Sequence, residues 1–285
     1  MQTQARFVQV TDLGRLSLET GVVPDVQPND ALARVLYAGV CGTDVHLANS
    51  EQPFPWKSRK YPFRLGHEWV GRLEQIGARF PRHDAYGKPL SERDRIVAMP
   101  STWACGKCFA CRVLLSPNLC MRPGLDRPLP PDMSAFADWF YLPEGTMVFK
   151  VPDRLGTDVA VLTEPMAVAI RALERAYLPG APDRYQGLGP GKSVAVLGSG
   201  TIGTLITILA RKAGCFPIFV VGGPPERLEL CSELGANLTM DISTTSSSER
   251  AEAIFSETLH RFGVDVVFEA AGSPSAFSEA ISLSR

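Results

Sequence analysis

The sequence lacks what would take a chain into a membrane or onto a nucleic acid. No apolar run in its 285 residues approaches the length of about 20 that a bilayer span needs. The first thirty residues hold no hydrophobic stretch of the kind a secretion signal carries. Basic residues (29) do not outnumber acidic ones (30), so the net charge of −1 implies no polyanion-binding face. No segment repeats, and an even cysteine set is also missing. There are seven cysteines, four of them within sixteen residues, which suits metal ligands and free thiols better than a disulfide framework. With 45% hydrophobic residues the chain has material for two cores. A globular cytoplasmic protein is expected, acting on a small molecule, with no nucleic acid and no membrane as partner.

Two textures divide the chain. Up to about residue 150, short β-branched or apolar stretches (Phe7–Val10, Ala33–Tyr37, Trp69–Leu73, Arg95–Ala98) are separated by Gly, Pro, Asn and Asp. They predict a barrel-like β domain with two long loops, 81–93 and 121–134, of a length that often marks function or a tethered metal. From Thr163 the apolar spacing turns helical, and a Pro/Gly-rich stretch, 178–192, reads as a linker. Strands at 193–197, 216–221 and 264–268 then alternate with helices that end at Gly214 and Gly235. Such alternation predicts a parallel sheet covered on both faces. The expected class is therefore α/β with a β domain: residues 1–162 a barrel-like unit, residues 163–285 a doubly wound sheet. The Ser/Thr cluster 243–248 reads as a solvated loop.

Gly198-Ser199-Gly200-Thr201-Ile202-Gly203 is a GxGxxG motif between a buried strand and an amphipathic helix, the setting in which that motif binds a dinucleotide. Gly198 would permit the tight turn, Gly200 the close approach of the pyrophosphate, and Gly203 the packing of helix on strand. The next strand should end in an acidic residue for the adenosine ribose, and it ends instead in Gly222-Gly223. Arg227, or Lys192, would meet a 2′-phosphate, and Arg227 reads equally well as a solvated helix residue. NAD and NADP both stay open.

Cys105, Cys108, Cys111 and Cys120 form C-x2-C-x2-C-x8-C. Four thiolates at such spacing close a tetrahedral zinc site with no open position, so a structural role is expected; an iron–sulfur cluster and unmetallated thiols are the alternatives. A second, dispersed set comprises Cys41 in Cys41-Gly-Thr-Asp-Val-His46, His67 and Glu68 in Gly66-His67-Glu68, and Glu164 in Glu164-Pro165. Cys, His and carboxylate suit a catalytic zinc with an exchangeable position. Singly, each has a plainer reading: a core thiol, a satisfied histidine, an ion-pair partner.

Taken together and in order, these five motifs resemble the zinc-containing medium-chain alcohol dehydrogenases, the sorbitol and threonine dehydrogenases in particular, over nearly the whole chain. The resemblance implies a GroES-like β domain joined to a Rossmann domain, with the active site in the cleft between them. It implies two Zn2+ per chain, one structural, and NAD or NADP as hydride acceptor for a secondary alcohol or polyol. Cys41 and His67 would be zinc ligands, with Glu68 and Glu164 binding directly or through water. Thr43 would hydrogen-bond the substrate hydroxyl, and His46 would pass its proton onward. Asp44 would support the ligands from behind.

Three departures stand beside the resemblance. The last cysteine spacer is one residue longer than is usual, the acidic residue at Gly222 is missing, and the sequence reaches Arg285 soon after the 264–268 strand. Family members continue with strands that form the homo-oligomer interface, so a truncated sheet with an exposed edge is expected. A zinc-free quinone-reductase type and a non-catalytic zinc- or nucleotide-binding chain are the competing readings.

Overall fold

A computed structural model describes residues 4–12, 14–49, 61–99, 108–114, 116, 119–121, 134–177 and 187–285. The chain divides into two compact units, Met1–Glu164 and Pro165–Arg285.

In the first unit, β1 (Gln4–Asp12), β2 (Arg15–Val22), β3 (Ala31–Gly39), α1 (Gly42–Ala48), β4 (Phe63–Arg64), β5 (Glu68–Ile76) and β6 (Arg95–Ala98) follow one another. Then come α2 (Phe109–Arg112), β7 (Trp139–Leu142), β8 (Val148–Lys150) and α3 (Thr157–Ala160). Among the described residues they form a three-stranded sheet, β2-β1-β4, and a five-stranded one, β7-β3-β5-β6-β8. The period of two in β5 sends Trp69 and Leu73 into one cluster, where Trp69 stacks on Phe140 at 4.1 Å, and Val70 into another with Val97, Val151 and Ala160. Burying each such side chain contributes about 1.5–3 kcal/mol. The loop 81–93 is organised by Asp84, whose buried carboxylate accepts the backbone N–H of Tyr86, Lys88 and Lys150. Its length thus has a structural cause, and no metal cluster lies there among the described residues.

The β3–β5 register decides where the chemistry falls. The antiparallel pairing slips twice, between Leu32 and Ala33 and between Val35 and Tyr37, and ends with Gly39 opposite Glu68. Extra residues at such irregularities bend a strand and re-aim its end. The C-terminal end of β3, which leads into Cys41, therefore lies beside the N-terminal end of β5, which His67 precedes.

In the second unit α4 (Thr163–Ala176, begun in the first unit) is followed by β9 (Val194–Leu197), α5 (Thr201–Lys212), β10 (Ile218–Gly222), α6 (Pro225–Glu233) and β11 (Leu238–Asp241). Then come α7 (Ser247–Ser256), β12 (Val266–Glu269) and α8 (Pro274–Leu283). The strands are parallel in the order β11-β10-β9-β12, the start of a Rossmann sheet. Val194, Val196, Ile218 and Val220 face one cluster with Leu205, Ile206 and Leu173; Ala195, Leu197, Phe219 and Val221 face the other with Ile254 and Leu283. Both faces are covered, which is why these strands read as unbroken apolar runs. Cys215 and Cys231 are buried thiols of this core.

The Ser/Thr cluster is the expected loop over residues 243–246, and only Ser247 and Ser248 depart from it by opening α7. Ser246 caps α7: its hydroxyl accepts the Glu249 N–H, and the Glu249 carboxylate accepts the Ser246 N–H at 2.7 Å. That is the Ser-x-x-Glu capping box, and the same small polar residues that favour loops favour helix starts. Of the linker 178–192, residues 178–186 lie outside the described residues, and Lys192 pairs with Asp265 at 3.4 Å.

Candidate active site and metal centres

Cys41 immediately precedes α1, and the third residue of that helix, Asp44, is only 3% exposed. One Asp44 oxygen accepts the Cys41 N–H at 3.0 Å; the other accepts the Gly66 N–H at 3.0 Å and lies 3.7 Å from Nδ1 of His67, an ion-pair separation. A single carboxylate thereby ties together two segments about twenty residues apart. Gly66 needs its lack of a side chain: at φ +94° a Cβ would sit 2.8 Å from the Phe136 amide nitrogen. Gly39 leaves the space that the Glu68 carboxylate occupies.

The outcome is a cluster. Ligand atoms of Cys41, His67 and Glu68, all half-buried, lie within 4.8 Å of one another. Glu164, half-buried at the start of α4, is not in that set, although its carboxyl responds to the charges of His67, Glu68 and Asp44. Hydrogen bonds to Asp44 and Cys41 push His67 up to about 10. Its partner Cys41 is lowered by His67 first, against burial, with help from the N–H and hydroxyl of Thr43. Burial would raise Asp44, but His67 and the two backbone donors outweigh it and hold the carboxyl low. Burial raises Glu68 and Glu164, with His67 opposing. Cys41 and His67 thus each favour the other's charged form, beside two carboxyls whose ionisation burial opposes. Thiolate, imidazole and carboxylate are the donor set of a borderline-soft ion such as zinc.

Thr43 and His46 sit on α1 and are exposed. In this structure Thr43 donates to the Cys41 sulfur.

The second cluster gathers Cys108, Cys111 and Cys120 around α2, with Cys105 outside the described residues. The Cys108 sulfur is 3.5 Å from that of Cys111 and 4.0 Å from that of Cys120. A tetrahedron with zinc–sulfur bonds of about 2.3 Å has edges of about 3.8 Å, so the spacing fits a zinc. No disulfide links these described cysteines.

At the C-terminal ends of β9 and β10 lies a cavity of about 890 Å³. Gly198, Gly200, Gly222 and Arg227 line it; Thr201, Ile202 and Gly203 do not. Gly198, at φ +113°, passes close to the Ala270 carbonyl, and a Cβ on Gly203 would collide with the Gly198 carbonyl. Around Gly200, by contrast, there is open space, as a cradle for a phosphate requires. Sequence reasoning assigned nothing to Ser199, which is buried and whose hydroxyl both accepts the Gly223 N–H (2.9 Å) and donates to the Gly223 carbonyl (3.0 Å). It also missed Arg250 and Glu279, a bidentate pair on the cavity wall. Neither belongs to a recognisable motif, because both contacts join distant segments.

Known proteins agree with this architecture. Residues 27–153 match the alcohol dehydrogenase GroES-like domain, and residues 201–285 match the zinc-binding dehydrogenase domain. The chain is 30% identical over 268 residues to 5-exo-hydroxycamphor dehydrogenase of Pseudomonas putida, covering 93% of this chain and 70% of that one. It is also 30% identical to sorbitol dehydrogenase of Bacillus subtilis, over 95% of this chain and 69% of the relative. An alcohol dehydrogenase from Thermotoga maritima superposes with a TM-score of 0.81 at 29% identity, over 99% of this chain and 74% of that structure. The chain belongs to the zinc-type medium-chain alcohol dehydrogenase family. Its chemistry is that of an oxidoreductase acting on CH–OH donors. Among the described residues no helix is long and apolar enough to cross a membrane.

Proposed function

We propose that the chain moves hydride between a secondary alcohol or polyol and NAD(P), with a catalytic zinc at Cys41, His67 and Glu68 and a structural zinc at Cys105, Cys108, Cys111 and Cys120. The observation that carries this reading is the convergence of one thiolate, one imidazole and one carboxylate within 4.8 Å, at the end of a strand pairing that exists to bring them together. The substrate class follows the relatives, a camphor-derived hydroxyl in one and sorbitol in the other. When bound, zinc supplies Lewis acidity that makes an alcohol proton labile near neutrality, and the nicotinamide supplies the hydride acceptor.

The chain's own residues do the rest. Asp44 turns toward Nδ1 of His67, which leaves Nε2 for the metal. His67 and Thr43 lower the Cys41 thiol toward the thiolate, the form in which sulfur ligates. Glu164 stands close enough to feel the cluster's charge and serves as an exchanging fourth group. Thr43 turns its hydroxyl from the Cys41 sulfur to the substrate oxygen, and His46, on the same helix, carries the released proton away. The unit Met1–Glu164 is the catalytic domain and Pro165–Arg285 the cofactor-binding domain, and the protein works as a homo-oligomer. The ribose and pyrophosphate of the cofactor would be held in the cavity that Gly198, Gly200 and Gly222 line.

Zinc per chain, measured by elemental analysis with and without Cys41→Ser, tests the reading together with NAD(P)H formation on secondary alcohols and polyols. Two zincs falling to one, with loss of turnover, are expected. One zinc that the substitution leaves in place, or turnover that survives loss of the metal, would overturn the catalytic centre.

A further inference from the structure

Granting the dinucleotide proposed above, we infer that it is NADP(H) rather than NAD(H), and that Arg227 is the cation holding the 2′-phosphate. An enzyme selects NAD with a carboxylate at the end of the second strand, which accepts the ribose hydroxyls and repels a phosphate there. That place is the end of β10, and here it is Gly222. The position is also closed to a carboxylate: a Cβ on Gly222 would collide with the side chain and amide of Ser199, which the Gly223 peptide holds from both sides.

No neighbouring acid takes over the task. Asp241 pairs in register with Gly222 on the adjacent strand and its Oδ1 stands 3.5 Å from where a Gly223 Cβ would be, but it does not line the cavity, and that oxygen accepts the N–H and the hydroxyl of Ser243 at 2.8 and 2.7 Å. Glu279 lines the cavity, but both its oxygens are taken by Arg250 at 2.7 Å. Glu226, beside Arg227, is exposed and does not line the cavity. The charged lining residues are therefore Arg227, Arg250 and Glu279, which leaves one uncompensated positive charge. Arg227 carries it, in the first turn of α6, with no acidic partner among the described residues. A phosphate of about two negative charges suits a guanidinium fork far better than a pair of ribose hydroxyls does.

The test is calorimetric titration of the purified chain with NADP, NAD, 2′,5′-ADP and 5′-AMP, repeated on Arg227→Ala and Arg227→Lys. NADP and 2′,5′-ADP should bind at least tenfold more tightly than NAD and 5′-AMP, an advantage that shrinks as salt rises from low to high concentration. Arg227→Ala should abolish most of it without weakening NAD, and Arg227→Lys should keep part. Because Arg227 is exposed, its truncation leaves the core untouched. NAD binding as tightly as NADP, or equal losses for both in Arg227→Ala, would overturn the inference while leaving the dehydrogenase reading intact. Binding of none of the four would overturn both.

Discussion

Replacing Asp44 by Asn isolates the device that assembles the proposed metal site. Asparagine fills the same volume and can still accept one backbone N–H, but its amide N–H₂ then faces the other donor, at Cys41 or at Gly66, and that bond is lost. Hydrogen bonds to a charged group contribute about 1.5–3 kcal/mol each, and a buried donor left without a partner adds to the loss. With Asp44 only 3% exposed, water cannot replace the missing acceptor, so a loss of about 3 kcal/mol follows for the unit Met1–Glu164. For a unit of that size this corresponds to about 6–12 °C in melting temperature. His67 also loses the carboxylate that orients its ring, and supporting groups of this kind change metal affinity about 10–100-fold. Calorimetry of the melting transition and zinc competition against a chromophoric chelator measure the two effects. The zinc proposed at the cysteine lobe would serve as the internal control, because Asp44 bonds to Cys41, Gly66 and His67 and to none of Cys108, Cys111 and Cys120. Wild-type zinc affinity together with an unchanged melting temperature would refute the reasoning, since the two 3.0 Å bonds would then hold nothing in place.

Two further outcomes can be checked independently. Gly39→Ala places a methyl group where the Glu68 carboxylate lies, and that flexible acid must swing away; stability should change by less than about 1 kcal/mol while zinc at Cys41 and His67 weakens about tenfold or more, and an unchanged affinity in chelator competition would remove Glu68 from the ligand set. Burial alone would raise Asp265, but Ser193, Arg285 and Lys192 outweigh it and hold the carboxyl low, so its contribution is present above the unfolded value of about 3.9 and is lost as pH falls through the lower folded value. Asp265→Asn should therefore be less stable by about 2 kcal/mol above pH 5 and should lose less on acidification than the parent, which denaturant titrations at pH 3 and pH 7 would show; parallel acid curves would contradict this.

Short spacings were legible without a structure. The GxGxxG loop is read from a strand, a turn and a helix that adjoin in sequence, and three of the four cysteines of the lobe stand three positions apart, within reach of one ion whatever the rest of the chain does. The proposed catalytic set is different, because Cys41 and His67 stand twenty-six positions apart and only the resemblance to a known family joined them before the β3–β5 register was seen. The Ser246 cap was written in the sequence as Ser-x-x-Glu, yet a run of Ser and Thr satisfies a turn as readily as a helix start, and only the packing of α7 chooses between them.

By itself, then, the amino-acid order determined the class of fold, through apolar periods of two and of helical length, and the kinds of ligand available, through the chemistry of Cys, His and Glu. Tertiary structure alone decided which of them meet. The two slips in the β3–β5 pairing set Gly39 against Glu68, Asp44 reaches both Cys41 and Gly66, Ser199 fills the space over Gly222, and Arg250 takes up Glu279 so that Arg227 remains the unpaired charge of the cavity. Each of these joins residues far apart along the chain. Which distant partners a buried polar group finds depends on strand register and packing, and no local pattern of residues contains that information.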